Sequence, residues 1–283
     1  MDMHTVFGTI AERVPTASDP TDYVGDDGLL YCGRCHTAKE TVISYKSDQL
    51  TYQRKMPCIC DCGRKIRDEN DRKRNAEQKR MRVKGLQELG LPGKELYNWT
   101  FENDDGRNPD LINAMKRFIE EFDWFYENKK GLLLWGGTGS GKSFAAIAAA
   151  NALIDIERPC LVTSFTRIAH KLSDQRYGKQ NYLDNLNAFD LLVIDDLGAE
   201  RNSEYMQEIV FDIINTRYNS GKPFIITTNL TIEEIKKPAE MSNARIYDRI
   251  LERCAPIEVN GASRRRIKAA EDYYEIQRKL GLI

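Results

Sequence analysis

The string Gly136-Gly137-Thr138-Gly139-Ser140-Gly141-Lys142-Ser143 constrains this chain more than any other feature. An apolar run, Gly131 to Trp135, precedes it, and an Ala-rich helical run, Phe144 to Ile154, follows. Strand, glycine loop and helix in that order, with G-x-x-x-x-G-K-S spacing, form the pattern of a nucleotide-phosphate loop. Glycines let consecutive backbone N–H groups face one anion, and the helix N-terminus adds partial positive charge. Lys142 is expected to reach the β- and γ-phosphates of ATP, and the Ser143 hydroxyl to ligate Mg²⁺. A plain Gly-rich turn is the bland alternative, and the flanking strand and helix argue against it.

A second motif supplies acids. Asp190-Leu-Leu-Val-Ile-Asp195-Asp196 is an apolar strand that delivers two carboxylates at its C-terminal end, the edge of an open α/β sheet where ligands bind. Asp195 is expected to hold Mg²⁺ mostly through water, and Asp196 to orient or deprotonate the attacking water. Asn229, ending another apolar run, is placed to bond that water or the γ-phosphate. Phosphoryl transfer also asks for a further cation. The candidates are Arg245, Arg249 and Arg253, which share one helical face, and the run Arg264 to Arg266.

These motifs sit in a longer alternation of apolar and helical segments from about Gly93 to Ile283, the pattern of a parallel sheet covered by helices. Strands are predicted at Leu132–Trp135, Cys160–Thr163, Leu191–Ile194 and Phe224–Thr228, with a short fifth at Ile257–Val259. Helices are predicted at Asn202–Asn219 and Ala244–Arg253.

Upstream the composition changes. Five of the seven cysteines lie between Tyr31 and Gly63, as Cys32-Gly-Arg-Cys35 and Cys58-Ile-Cys60-Asp-Cys62. Between them, Thr41–Tyr45 and Leu50–Gln53 read as hairpin strands around a turn at Lys46–Gln49. Two close cysteine pairs on opposed turns match tetrahedral Zn²⁺. The zone has too few apolar residues for a core, so metal would supply its folding energy. One cysteine is spare: Cys58 and Cys60 are the favoured second pair, with Cys62 the alternate. His36 is wrongly spaced to replace a ligand. Arg64 to Lys84 is dense in both charges and reads as a solvated helix. The expected organisation is a zinc-ribbon-like domain over 1–63, a charged helical linker over 64–92 and the α/β domain over 93–283.

The 283 residues carry a net charge of −1, so any nucleic-acid or membrane binding must come from local patches. No apolar run is long enough to span a bilayer, and no basic-then-apolar leader is visible. The cytoplasm is the default expectation.

Together the phosphate loop, Val193-Ile-Asp195-Asp196-Leu-Gly-Ala-Glu200, Ile226-Thr-Thr-Asn229-Leu and Arg245-Ile-Tyr-Asp-Arg249-Ile resemble the AAA+ ATPases of the DnaC/DnaI replicative-helicase-loader group. Phage and prophage DnaC-like members fit best. The resemblance covers roughly Leu96 to Ala270. It implies an AAA+ fold with ATP hydrolysis at subunit boundaries, hence self-association. It makes Asn229 a sensor 1 residue and Arg249 the arginine finger acting on a neighbour's ATP. Arg264 best matches the sensor 2 arginine, with Arg265 one residue off. Asp196 stands where most AAA+ proteins have Glu, which points to slow turnover suited to a switch. IstB-type transposition ATPases are similar to the C-terminal half equally well but ordinarily lack the cysteine module, which in DnaI-type loaders contacts the hexameric helicase. By the same resemblance single-stranded DNA would meet the segment from Ser164 to Gln180, through Arg167, His170, Lys171, Arg176 and Lys179 with Phe165 and Tyr177. The implied function is ATP-dependent loading of a replicative helicase onto single-stranded DNA. The alternative is a transposase-partner ATPase on duplex DNA.

Overall fold

A computed structural model of the chain describes residues 19–47, 50–173, 178–199, 203–238 and 240–283. The chain divides into two compact units, with the boundary between Lys79 and Arg80. That boundary falls inside a long helix, α1 (Asp61–Gly90).

In the first unit β1 (Tyr23–Val24) and β2 (Leu30–Tyr31) pair antiparallel. A longer antiparallel ribbon follows, β3 (Glu40–Ser47) with β4 (Leu50–Pro57), in register from Glu40↔Pro57 to Ser47↔Leu50. Both strands outrun their sequence-predicted ends. The extra length is paired throughout, from Glu40↔Pro57 to Ile43↔Arg54, and within the predicted part the rings of Tyr45 and Tyr52 stack across the strands at 5.5 Å. Val42, Ile43, Tyr45 and Tyr52 are nevertheless exposed. Among the described residues of this unit, the buried apolar side chains are Cys32 and Cys60 alone. Of the predicted turn Lys46–Gln49, Lys46 and Ser47 belong to β3, while 48 and 49 lie outside the described residues.

The charged segment is helical as its composition suggests, but the helix is longer at both ends than Arg64–Lys84. Its last turns belong to the second unit: Val83 and Leu86 pack against that unit's core, and Leu91 is part of it. Gly90 is required there, since a Cβ would meet the Cys160 carbonyl oxygen at 1.9 Å.

The second unit continues through two short 3₁₀ turns, Lys94–Asn98 and Phe101–Asn103, and helices α2 (Pro109–Glu120) and α3 (Phe122–Glu127). The alternating part then runs β5 (Gly131–Trp135), α4 (Lys142–Asp155), β6 (Cys160–Ser164), α5 (Phe165–Ser173), α6 (Lys179–Leu186), β7 (Leu191–Leu197), α7 (Glu204–Ser220), β8 (Phe224–Thr228), α8 (Ile232–Lys236), α9 (Met241–Arg253), β9 (Cys254–Glu258) and α10 (Arg264–Lys279). The five strands form one parallel sheet in the order β6-β7-β8-β5-β9. Helices on both faces bury it, so the strands read as continuous apolar runs: Leu133, Leu134, Leu192, Ile225 and Ile226 have no or almost no exposed surface. Ala145, Ala146, Ala148, Ala149 and Ala150 are fully buried on α4, where their small side chains fit the helix against the sheet. Two apolar clusters result, one on each face.

The fifth strand begins at Cys254 rather than Ile257, because Gly131 of β5 pairs with Cys254 and Trp135 with Glu258. Asn202, the predicted start of the helix after β7, lies outside the described residues; the described helix begins at Glu204, capped by the Ser203 hydroxyl accepting from the Met206 N–H. Arg217 is 1% exposed. Its guanidinium donates to the carbonyls of Phe189, Asp190 and Pro223, tying the entries of β7 and β8 to α7.

Candidate functional site

Because all five strands are parallel, their C-terminal ends share one edge, and the sequence motifs converge there. β5 ends at Trp135 and leads into the phosphate loop. β7 carries Asp195 and Asp196 to the same edge, and β8 ends one residue before Asn229. The loop needs its glycines: Gly139 and Gly141 have φ of 80° and 104°, left-handed values that cost a side chain energy. Gly141 is also the residue that opens α4.

Lys142 is buried, and its ammonium donates to the carbonyls of Gly136 (2.8 Å) and Gly137 (2.7 Å) and to Asn229 Oδ1 (2.9 Å). Burial pulls its pKa down, against the opposing pull of Asp196 and Asp195. A cation stripped of water beside a glycine loop is suited to an anion.

Asp195 is gripped from the next strand: the Thr227 hydroxyl donates to its Oδ1 at 2.5 Å and accepts from the Asp196 N–H at 3.0 Å. Pairing of β7 with β8 is irregular between Ile194 and Leu197. Asp196 sits in that bulge at φ 61°, a conformation Asp tolerates better than most residues. Burial, then the neighbouring Asp195, raises the Asp196 pKa.

A cleft of about 320 Å³ opens over these groups, lined by Thr138, Gly139, Gly141, Lys142, Ser143, Asp196, Asn229, Arg264 and Arg265, with Trp99, Phe144 and Ala199. Gly136, Gly137, Ser140 and Asp195 belong to the same loop and strand end but are not part of this lining. Arg264 starts α10, and its N–H donates to the Gly139 carbonyl at 2.9 Å. Its guanidinium bridges to Asp104 (3.4 Å) and Asp105 (3.1 Å), while its Nη2 is buried without a hydrogen-bond partner. An orphaned buried donor in this cleft fits an anionic ligand, as do Lys142 and the loop N–H groups. Arg264 and Arg265 both line the cleft, so the one-residue ambiguity of the sequence persists as two adjacent cations.

Arg249 lies elsewhere, on α9. It stacks over Phe211 of α7 at 4.8 Å, with Nη1 buried and unpartnered. Arg253 covers Tyr218 at 4.4 Å, and Arg245 lines a groove between α7 and α9. None of the three lines the cleft of its own chain.

Sequence reasoning missed Trp99 and Phe144. Their rings are 5.9 Å apart at the cleft, and Asn151 of α4 holds the Trp99 segment by donating to the Leu96 and Trp99 carbonyls. Trp99 has no local motif; only the fold brings it to the loop.

In the first unit Cys32, Cys35, Cys60 and Cys62 place their sulfurs within 4.8 Å of one another. Zn–S bonds of about 2.3 Å in a tetrahedron need sulfur–sulfur edges of about 3.8 Å, and Cys32–Cys62 and Cys60–Cys62 lie at 3.5 and 3.4 Å. The donor set therefore fits Zn²⁺. Of the expected ligands, Cys58 is corrected: its thiol instead donates to the Ala38 carbonyl, and burial raises its pKa. Cys62 takes the fourth position because it occupies the first turn of α1, which curls it back toward Cys60. The thiols polarise one another. The Thr37 hydroxyl and backbone N–H groups hold Cys35 down to about 5, while bonds to Cys60, Cys32 and Cys35 push Cys62 up to about 12. His36 faces Tyr23 (3.2 Å) rather than the cluster.

The expected DNA-contacting segment divides. Arg167, His170 and Lys171 line a recess of about 420 Å³ with Ser164 and Thr166. Phe165 is a correction: at 1% exposure it is core, on the inward face of α5 with Ile168 and Ala169, and cannot stack a base. Lys179 is bridged to Glu208 and Asp212, while Arg176 and Tyr177 lie outside the described residues. Among the described residues no helix is long and apolar enough to cross a membrane.

The sheet order and the loop at its edge define an AAA+ P-loop nucleotide-binding protein. The crystal structure of the DnaC helicase loader shares this fold, with a TM-score of 0.51 at 24% identity over 59% of this chain and 100% of that one. The chain belongs to the family described as IstB-like ATP binding protein, which its residues 35–271 match. The replicative helicase loader DnaC of Buchnera aphidicola is 30% identical over 185 residues, covering 62% of this chain and 72% of that one. The replicative helicase loader DnaI of Bacillus subtilis is 28% identical over 189 residues, or 61% and 60% of the two chains.

Proposed function

We propose that this protein is an ATP-dependent loader of a replicative hexameric DNA helicase onto single-stranded DNA, with ATP binding and hydrolysis as its switch. One observation carries the reading: a single sheet edge gathers Lys142, Asp196, Asn229 and Arg264 around an anion-ready cleft, in a chain whose relatives are named replicative helicase loaders.

ATP with Mg²⁺ would supply the transferable phosphoryl group and the charge that activates it. The loop from Gly136 to Ser143 would hold the phosphates and Ser143 and Asp195 the metal, with Thr227 fixing the Asp195 carboxylate. Asp196 takes the proton of the attacking water, Asn229 orients that water, and Arg264 balances charge on the γ-phosphate. Arg249, away from its own cleft, acts on the nucleotide of a neighbouring copy. Asp196 is shorter than Glu, so turnover is slow and stimulated by partners. The zinc-bearing module over 1–63 grips the helicase, the helix over 64–92 joins it to the AAA+ domain over 93–283, and Arg167, His170 and Lys171 track phosphates of single-stranded DNA. The place of action is the cytoplasm.

Co-purification with candidate hexameric helicases, in ATP and in ADP, tests this. Capture that differs between the two nucleotides is expected. Capture of a transposase with no helicase binding would instead favour the second reading, a transposase-partner ATPase on duplex DNA, which the family description keeps in view.

A further inference from the structure

The helix that brings Arg264 to the cleft continues as a bare rod. Among the described residues no side chain of α10 is buried. Yet Ala269, Tyr273 and Ile276, with Leu280 that caps the helix in an αR conformation, recur at spacings of four, three and four, which is one seam of a paired helix. Tyr273, Ile276 and Leu280 are 58%, 55% and 67% exposed. A solvated helix gains nothing from such a seam, and polar residues occupy the flanks: Asp272 and Lys279 on one side, Gln277 on the other.

The charges choose the occupant. If two copies of α10 pair antiparallel, Tyr273 meets Ile276 of the other copy and Ala269 meets Leu280, four layers about a two-fold axis. The same register sets Asp272 against Lys279 across the seam, twice by symmetry. Lys279 currently bridges to Glu275 at 3.0 Å, an exposed contact easily exchanged. A parallel pair would set Asp272 against Gln277 and leave both charges unmatched. We infer that α10 is a self-association surface, pairing antiparallel with α10 of a second copy of this chain through Ala269, Tyr273, Ile276 and Leu280.

The seam spans about three turns, shorter than a free-standing coiled coil needs, so the contact is weak. It is also isologous, unlike the head-to-tail boundary at which Arg249 would serve a neighbour's site. It does not depend on the loader reading, because it is read without nucleotide, helicase or DNA.

Sedimentation of the full-length chain over a wide concentration range tests it, with circular dichroism confirming that each variant folds. A reversible dimer is expected, weakened more than about tenfold by Ile276→Asp. Asp272→Lys and Lys279→Asp alone should each weaken it by roughly tenfold, since two attractions become two repulsions. Mixed together, the two variants should recover dimerisation as a heterodimer, because opposite charges then face each other at both cross-seam positions. A chain monomeric at every concentration, a dimer indifferent to Ile276→Asp, or a mixture no better than its components would each overturn the inference.

Discussion

The two units of this molecule solve stability in opposite ways. The unit from Arg80 onward buries a five-stranded sheet between two apolar clusters, and its chemistry rides on the sheet's edge. The unit before it buries two apolar side chains among its described residues, both of them cysteines in the thiol cluster. Burial at roughly 25 cal/mol per Å² cannot hold so small a unit together. In the larger unit the fold positions the site; in the smaller one a thiol cluster that fits Zn²⁺ stands where a core would. A metal would be structural there, where a nucleotide in the other unit would be functional.

The largest expected effect breaks that symmetry directly. Chelation, or Cys60→Ser, should unfold the ribbon unit by removing a contribution of about 10 kcal/mol while nucleotide binding by the other unit persists. Metal analysis should find one zinc per chain, and limited proteolysis with a nucleotide-binding assay reads both units at once. Loss of both together would show that the division is false.

Next is Asp196→Asn, expected to lower assembled ATP hydrolysis by roughly 10²–10⁴-fold with binding preserved. The wild-type rate should fall as pH drops through the raised Asp196 pKa, because only the carboxylate accepts a proton. Its decline should therefore begin at higher pH than an ordinary aspartate near 4 would give. A pH–rate profile flat to below that value would remove Asp196 from the proton's path.

Lys142→Ala should weaken ATP binding by about thirtyfold or more, the usual consequence of truncating a buried, hydrogen-bonded cation, with the ribbon unit still folded and metal-loaded. Calorimetric titration checks it, and unchanged affinity would dismiss the loop. The smallest effect sharpens the metal site. Cys58→Ser should keep one zinc per chain and shift stability by less than about 1 kcal/mol, whereas Cys62→Ser should lose the metal. The reverse result would restore the ligand set favoured by spacing alone.

Where chemistry is carried by contiguous residues, the sequence was legible. The phosphate loop and the Asp195-Asp196 strand end announce themselves because glycine freedom and strand periodicity leave few alternatives. The strand order is less directly legible, and the apolar signal of β9 starts only after Pro256, which interrupts it. Choosing between Cys58 and Cys62 needed the start of α1. A helix read from Arg64 leaves Cys62 in a loop, whereas one beginning at Asp61 turns it inward. The charges of the segment after β6 hide its apolar face, on which Phe165 packs with Ile168 and Ala169. Trp99 could not be found at all, since its approach to Phe144 depends on Asn151 bonding across the fold.

The ammonium of Lys142 is held by three acceptors that belong to the site itself. An arriving triphosphate therefore does not strip hydration from this cation; it trades one set of oxygens for another. Two of the displaced oxygens are main-chain carbonyls of the glycine loop, and the third is the amide of Asn229. A triphosphate that took over this ammonium would thereby release the Asn229 amide at the end of β8.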